Sequence, residues 1–190
     1  MTSSANPPVI GIAGWKNSGK TTLTVRLISE FTQRGIAVAS IKHAHHDLQF
    51  DAIDTDSARH QRAGATNVIV VGPNAWAIGT DVQSTPPPDL KNSLARLSSA
   101  DLIIVEGYKT APIPKIEVRR AAQPDRRPLA PDDPAIIAIA ADHNTHTGQL
   151  PVFALDDIAA IANFIAQHFQ LRQSTRSHGG PGDGTSEPRA

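Results

Sequence analysis

With 190 residues, the chain is long enough for one well-buried domain and too short for two of ordinary size. Its 18 basic and 18 acidic residues cancel, so no overall field draws it to nucleic acid or to an anionic membrane surface, and any partner has to be read from a local site. The lack of cysteine excludes disulfides, thiolate metal ligands and cysteine nucleophiles, and fits a reducing, cytoplasmic setting.

Met1 to Pro8 has neither a basic start nor an apolar stretch, and no later apolar run approaches the length of a membrane span, so neither targeting nor anchoring is expected. Val9 to Ala13 is a short apolar run that stops at glycine. Beyond Lys20 the apolar positions Leu23, Leu27, Ile28 and Phe31 recur at helical spacing until Gly35, and Ile36 to Ile41 is a second apolar run. The opening third therefore predicts strand, helix and strand, with both strands parallel in one sheet. Lys42 to Asp56 reads as a polar loop, Ser57 to Ala63 as a helix closed by Gly64, and Asn67 to Val71 as a strand, with Ala75 to Gly79 adding another.

The three prolines from Pro86 to Pro88 open a predicted helix that runs through Leu97, because proline suits a first helical turn. Asp101 to Glu106 is a buried strand, Lys115 to Arg119 alternates as a strand, Ala121 to Pro134 is a proline-rich loop, and Ala135 to Ala140 is another continuous apolar run. Asp156 to Phe169 follows as a helix capped by Asp156 or Asp157, with Ile158, Ile161, Ile165 and Phe169 on its buried face. Arg172 to Ala190 is rich in Gly, Ser, Pro and charge and predicts a disordered tail, because it has too little apolar surface to offset its ordering entropy. Alternating strands and helices of this kind specify a three-layer α/β domain with a mostly parallel central sheet over residues 1–171, followed by the tail at 172–190.

Between the first strand and the first helix stands Gly14-Trp15-Lys16-Asn17-Ser18-Gly19-Lys20-Thr21, a GxxxxGK[ST] phosphate loop, which makes the expected architecture a P-loop NTPase fold. Glycines let such a backbone curl with its N–H groups inward, and the helix that follows offers unpaired N–H groups to anions. Gly14, Asn17, Ser18 and Gly19 form the cradle, Lys20 reaches the outer phosphates as a catalytic point charge, the Thr21 hydroxyl is a ligand for magnesium, and Thr22 lines the inner phosphate. A P-loop site needs an acid at the end of a neighbouring strand, and Glu106, directly after four apolar residues and before Gly107, is the candidate metal-side carboxylate. Asp101 opens the same strand at its wrong end and reads as a turn residue.

The segment Lys42-His43-Ala44-His45-His46-Asp47, with Asp51, Asp54 and Asp56, begins where the second strand ends and borders the phosphate loop. Asp47 and Asp51 are candidate magnesium ligands through oxygen, or orienters of water, and a solvated loop is the alternative. A transition-metal site on the histidines is the weaker reading. Asp142 ends another core strand, where its carboxylate either accepts from guanine N1–H and the 2-amino group or caps the following turn beside His143 and Asn144. On the residues alone adenine stays open.

The motifs GWKNSGKTTL at Gly14 to Leu23, IKHAHHD at Ile41 to Asp47, DSARHQRAGA at Asp56 to Ala65, DLIIVEGYK at Asp101 to Lys109 and PKIEV at Pro114 to Val118, in that order, resemble the molybdopterin-guanine dinucleotide biosynthesis adaptor (MobB) family over nearly all of Pro8 to Gln170. The resemblance implies a dimer of P-loop domains that binds GTP with magnesium, hydrolyses it slowly if at all, and assists a MobA-type guanylyltransferase, which attaches the guanosine monophosphate moiety of GTP to molybdopterin. It implies that Gly14, Ser18, Gly19, Lys20 and Thr21 carry the nucleotide, that Glu106 stands in the Walker B place, and that His43 to Asp51 borders the site. Two departures stand out: Gln49 where family members often carry aspartate, and Asp54 near a common glycine.

The leading reading is thus a GTP-binding accessory protein of molybdenum cofactor maturation and a weak GTPase at most, with Arg119, Arg120 and Arg126 as candidate donors of charge in trans. A small-molecule kinase with Asp47 or Asp51 as base is the alternative of a different class, and a metallochaperone-type GTPase using His43, His45 and His46 is the third. For dimer pairing the expected strand edges are Ala75 to Gly79 and Lys115 to Arg119.

Overall fold

A computed structural model describes residues 6–43, 60, 63–65, 67–73, 76–80, 87–97, 99–122, 127–145 and 148–171. Six strands, β1 (Val9–Ala13), β2 (Val38–Lys42), β5 (Leu102–Glu106), β6 (Lys115–Arg119), β7 (Ile136–Ala141) and β8 (Val152–Ala154), form one sheet in the order β2-β5-β1-β6-β7-β8. Every pairing in it is parallel. Two further strands, β3 (Asn67–Val71) and β4 (Trp76–Thr80), pair antiparallel with each other and with no third strand among the described residues.

Helices α1 (Lys20–Gln33) and α3 (Ile158–Phe169) pack side by side on one face of the sheet. The period of two along each strand sends Ile10, Ile12, Leu102, Ile104, Ile116 and Val118 into the same core as Leu23, Leu27 and Phe31 of α1 and Ile161 and Ile165 of α3. α3 starts at Asp157, whose side chain accepts from the Ala160 amide, and ends at Gln170 in the left-handed conformation. On the opposite face lies the short α2 (Leu90–Ala95), which with Val9, Ile103 and Ile113 lines an open apolar groove of about 600 Å³ at the amino end of the strands.

Among the described residues the expected order of elements is present, with three differences. α2 begins after Asp89 rather than at the prolines, because a residue that precedes proline is held out of the helical region and the Asp89 side chain, accepting from Asn92 N, supplies the cap. β8 has no counterpart among the expected elements. Of the helix expected at Ser57–Ala63, only His60 and Ala63 are among the described residues, and the tail from Arg172 lies outside them. The expectation that Lys115–Arg119 offers an edge is wrong: β6 lies between β1 and β7, and all five of its residues are buried. Its alternation reflects two different interiors rather than a core and a solvent side. Lys115, Glu117 and Arg119 alternate away from the core side of Ile116 and Val118; the 127–133 segment and the Lys109–Ala111 turn cover Lys115 and Glu117, and Thr145 meets Arg119. There Lys115 Nζ meets Asp133 Oδ2 at 2.7 Å and the carbonyls of Lys109 and Ala111.

Candidate phosphate-loop site at the carboxyl edge of the sheet

All six strands of a parallel sheet end on the same edge, so the residues that follow them converge: Lys42 from β2, Glu106 from β5, the Gly14 loop from β1, Arg120 from β6, Asp142 from β7 and Asp156 beyond β8. The loop from Gly14 to Gly19 turns through three residues at positive φ, Gly14 (151°), Asn17 (64°) and Gly19 (93°). At Gly14 a Cβ would lie 2.6 Å from Ser18 Oγ and 2.7 Å from the Val118 carbonyl, so only glycine closes the turn there. Ser18 beneath it is fully buried, and its Oγ has no hydrogen-bond partner among the described residues. Gly19 caps α1 without a side chain, and no acidic residue stands in the first turn, so the first N–H groups of that helix are left for an anion.

Lys20 donates from Nζ to the Trp15 carbonyl at 2.6 Å, folding back over the loop. Desolvation holds its ammonium below the usual lysine range, Glu106 opposes that shift, and Lys109 and Lys42 add to it. An anion between these cations relieves their repulsion. Thr21 donates from Oγ1 to Glu106 Oε1 at 2.6 Å, and Lys42 Nζ lies 3.6 Å from the same carboxylate oxygen. Hydroxyl and carboxylate side by side are the hard oxygen donors that magnesium takes, so Thr21 and Glu106 fit the metal role expected of them. Asp47 and Asp51 lie outside the described residues, as do His45 and His46. The ring of His43 packs on Tyr108, with centroids 4.6 Å apart.

On the other side of the loop, Asp142 accepts from the Ala121 amide at 2.7 Å and contacts His143 Nδ1 at 3.1 Å; chiefly that amide holds its carboxyl below the usual range. It is thus a turn cap, and it also lines a cleft of about 340 Å³ with Gly19, Thr22, Arg26, Arg120 and Asp156.

The family described as molybdopterin guanine dinucleotide synthesis protein B matches residues 9–142. The chain belongs to the MobB family. Among MobB relatives, the molybdopterin-guanine dinucleotide biosynthesis adapter protein of Haemophilus influenzae is 38% identical over 161 residues, covering 83% of this chain and 87% of the relative. The adapter protein of the same description from Escherichia coli is 33% identical over 165 residues, covering 86% and 94%. A crystal structure of molybdopterin-guanine biosynthesis protein B (MobB) superposes with a TM-score of 0.66 at 27% identity, covering 85% of this chain and 99% of that one.

Four side chains of this MobB-family site escaped the sequence reading, or were given other work. Lys42 ends β2 next to Glu106, which a basic residue at the end of the adjacent strand could have signalled. Lys109 places its ammonium 4.1 Å from the Trp15 ring, and the Trp15 indole donates to the Arg127 carbonyl at 2.7 Å. Glu117 is buried and accepts from the Leu129 and Ala130 amides, which ties the 127–130 segment to β6. Arg119, expected as a donor in trans, is instead buried against Glu117 and Thr145. Arg126 lies outside the described residues.

Proposed function

We propose that this chain binds GTP with magnesium at Gly14–Thr21 and serves as an accessory protein in the conversion of molybdopterin to molybdopterin guanine dinucleotide. Its partner in this reading is a MobA-type guanylyltransferase, with molybdopterin as a further ligand, and its setting is the cytoplasm. The observation that carries the reading is the 2.6 Å contact between Thr21 and Glu106 at the start of an uncapped helix, with Lys20 folded over the same loop. Bound magnesium supplies charge neutralisation at the outer phosphates. Thr21 and Glu106 hold it, the α1 amides and Lys20 orient the phosphates, and Asp142 receives the guanine donors.

Hydrolysis in this arrangement is slow. Arg119 is committed to Glu117 and Thr145, and Arg120 lies against Gly19, in the cleft on the Asp142 side, so neither arginine stands at the metal end. An arginine supplied there accelerates phosphoryl transfer by about 10³ to 10⁵. The homodimer implied by the family is supported by the β3–β4 hairpin, on which Ile69, Val71 and Ile78 share one exposed face.

Calorimetry with GTP and ATP in the presence of magnesium, with Lys20→Ala as control, tests the proposal. The expected result is a GTP preference of about tenfold or more, equivalent to about 1.4 kcal/mol, its loss in the variant, and slow phosphate release. A preference for ATP, or rapid turnover that appears only with a small acceptor, overturns it.

A further inference from the structure

The order β5-β1-β6-β7 sets Glu106, the Gly14 loop, Arg120 and Asp142 on four successive strands along one edge. Neighbouring strands lie about 4.8 Å apart, so three spacings separate Glu106 from Asp142 by about 14 Å, with Arg120 about two thirds of the way across. A nucleoside triphosphate whose metal-bound end rests at Thr21 and Glu106, and whose base rests at Asp142, passes its inner phosphate over β6.

Arg120 is built to meet it there. Its guanidinium lies so close to the start of α1 that a Cβ on Gly19 would sit 3.0 Å from Nε and 3.4 Å from Nη2. The side chain lines the same cleft as Gly19, Thr22 and Asp142. Unlike Arg119 next to it, the Arg120 guanidinium donates no hydrogen bond and makes no ion pair among the described residues. A planar fork of donors, one helix turn from free amides, matches the oxygens of a phosphate monoester or diester.

We propose that Arg120 binds the phosphate attached to the ribose, acting in cis on the inner end of the nucleotide rather than in trans on its outer phosphate. This assignment rests on the nucleotide reading above and deepens it. The Arg120 charge then contributes to affinity for mono-, di- and triphosphates alike.

The test compares wild type with Arg120→Ala for binding of GTP, GDP and GMP, and of guanosine by competition against a fluorescent GDP. Thermal unfolding serves as the check on folding. The expected result is a loss of about tenfold or more for all three phosphorylated ligands by a similar factor, with guanosine unchanged. In addition, Arg120→Lys recovers part of the loss, because it restores the charge without the fork. A loss confined to GTP, an equal loss for guanosine, or no loss overturns the assignment while leaving the nucleotide reading standing. A wild-type chain that binds none of the phosphorylated ligands overturns the nucleotide reading itself, and the role of Arg120 falls with it.

Discussion

Strand β6, Lys-Ile-Glu-Val-Arg, is the more polar of two strands whose fates are inverted: all five of its residues are buried, whereas in β3, Asn-Val-Ile-Val-Val, only Val68 is. β6 is flanked by β1 and β7 and roofed on its charged face by the 127–133 segment, which brings partners that buried charge requires: Asp133 for Lys115, and two backbone amides for Glu117, which also pairs with Arg119 of its own strand. Among the described residues β3 has one neighbour, and Ile69 and Val71 stay 60% and 77% exposed. Position in the sheet, rather than polarity, decides burial in this chain. A charged strand inside then marks a site being held in shape, and an apolar strand outside marks a surface awaiting cover.

The sharpest way to break this contrast is at Glu117. Removing its carboxylate in Glu117→Ala leaves Arg119 buried and the Leu129 and Ala130 amides unsatisfied, so urea unfolding should show a loss of about 3 to 5 kcal/mol. Lys115→Met keeps most of the volume but strands Asp133 and two carbonyls, and the same measurement should register a smaller loss, about 1 to 3 kcal/mol. A gain in either variant would mean that the polar row is not what holds β6 under its roof. The smallest effect is expected on the hairpin, where Ile69→Lys combined with Val71→Lys should move the stability of the sheet by no more than about 0.5 kcal/mol. Sedimentation of that double variant should show weaker self-association than wild type, and unchanged self-association would place the dimer contact elsewhere.

Much of the fold was legible in the sequence, for identifiable reasons. β1, β3, β5 and β6 fall within one residue of the apolar or alternating runs that announced them, and α1 follows its helical spacing from Lys20 until Gly35 stops it. The phosphate loop was legible because its glycines are demanded by geometry, as the contact facing Gly14 shows. β8 was not: three residues, Val152–Ala154, are too few to display a period. The role of β6 was obscured because alternation of charge with Ile and Val is what a half-solvated strand also shows, and the segment that roofs it lies about ten residues away along the chain. Within the site, Glu106 could be singled out by the apolar run before it, whereas Lys42, Lys109 and Glu117 acquire their roles only when β2, the β5–β6 connection and β6 are brought to one edge.

The chain's two tryptophans divide between these regions: Trp15 sits in the phosphate loop, its indole tied to the Arg127 carbonyl, and Trp76 belongs to β4 of the hairpin. The protein therefore carries a built-in pair of optical reporters. With Trp76 replaced by phenylalanine, ultraviolet emission follows the Gly14–Thr21 loop alone; with Trp15 replaced, it follows the hairpin. Events at the loop and at the hairpin can thus be timed separately, one variant for each, without a dye on either.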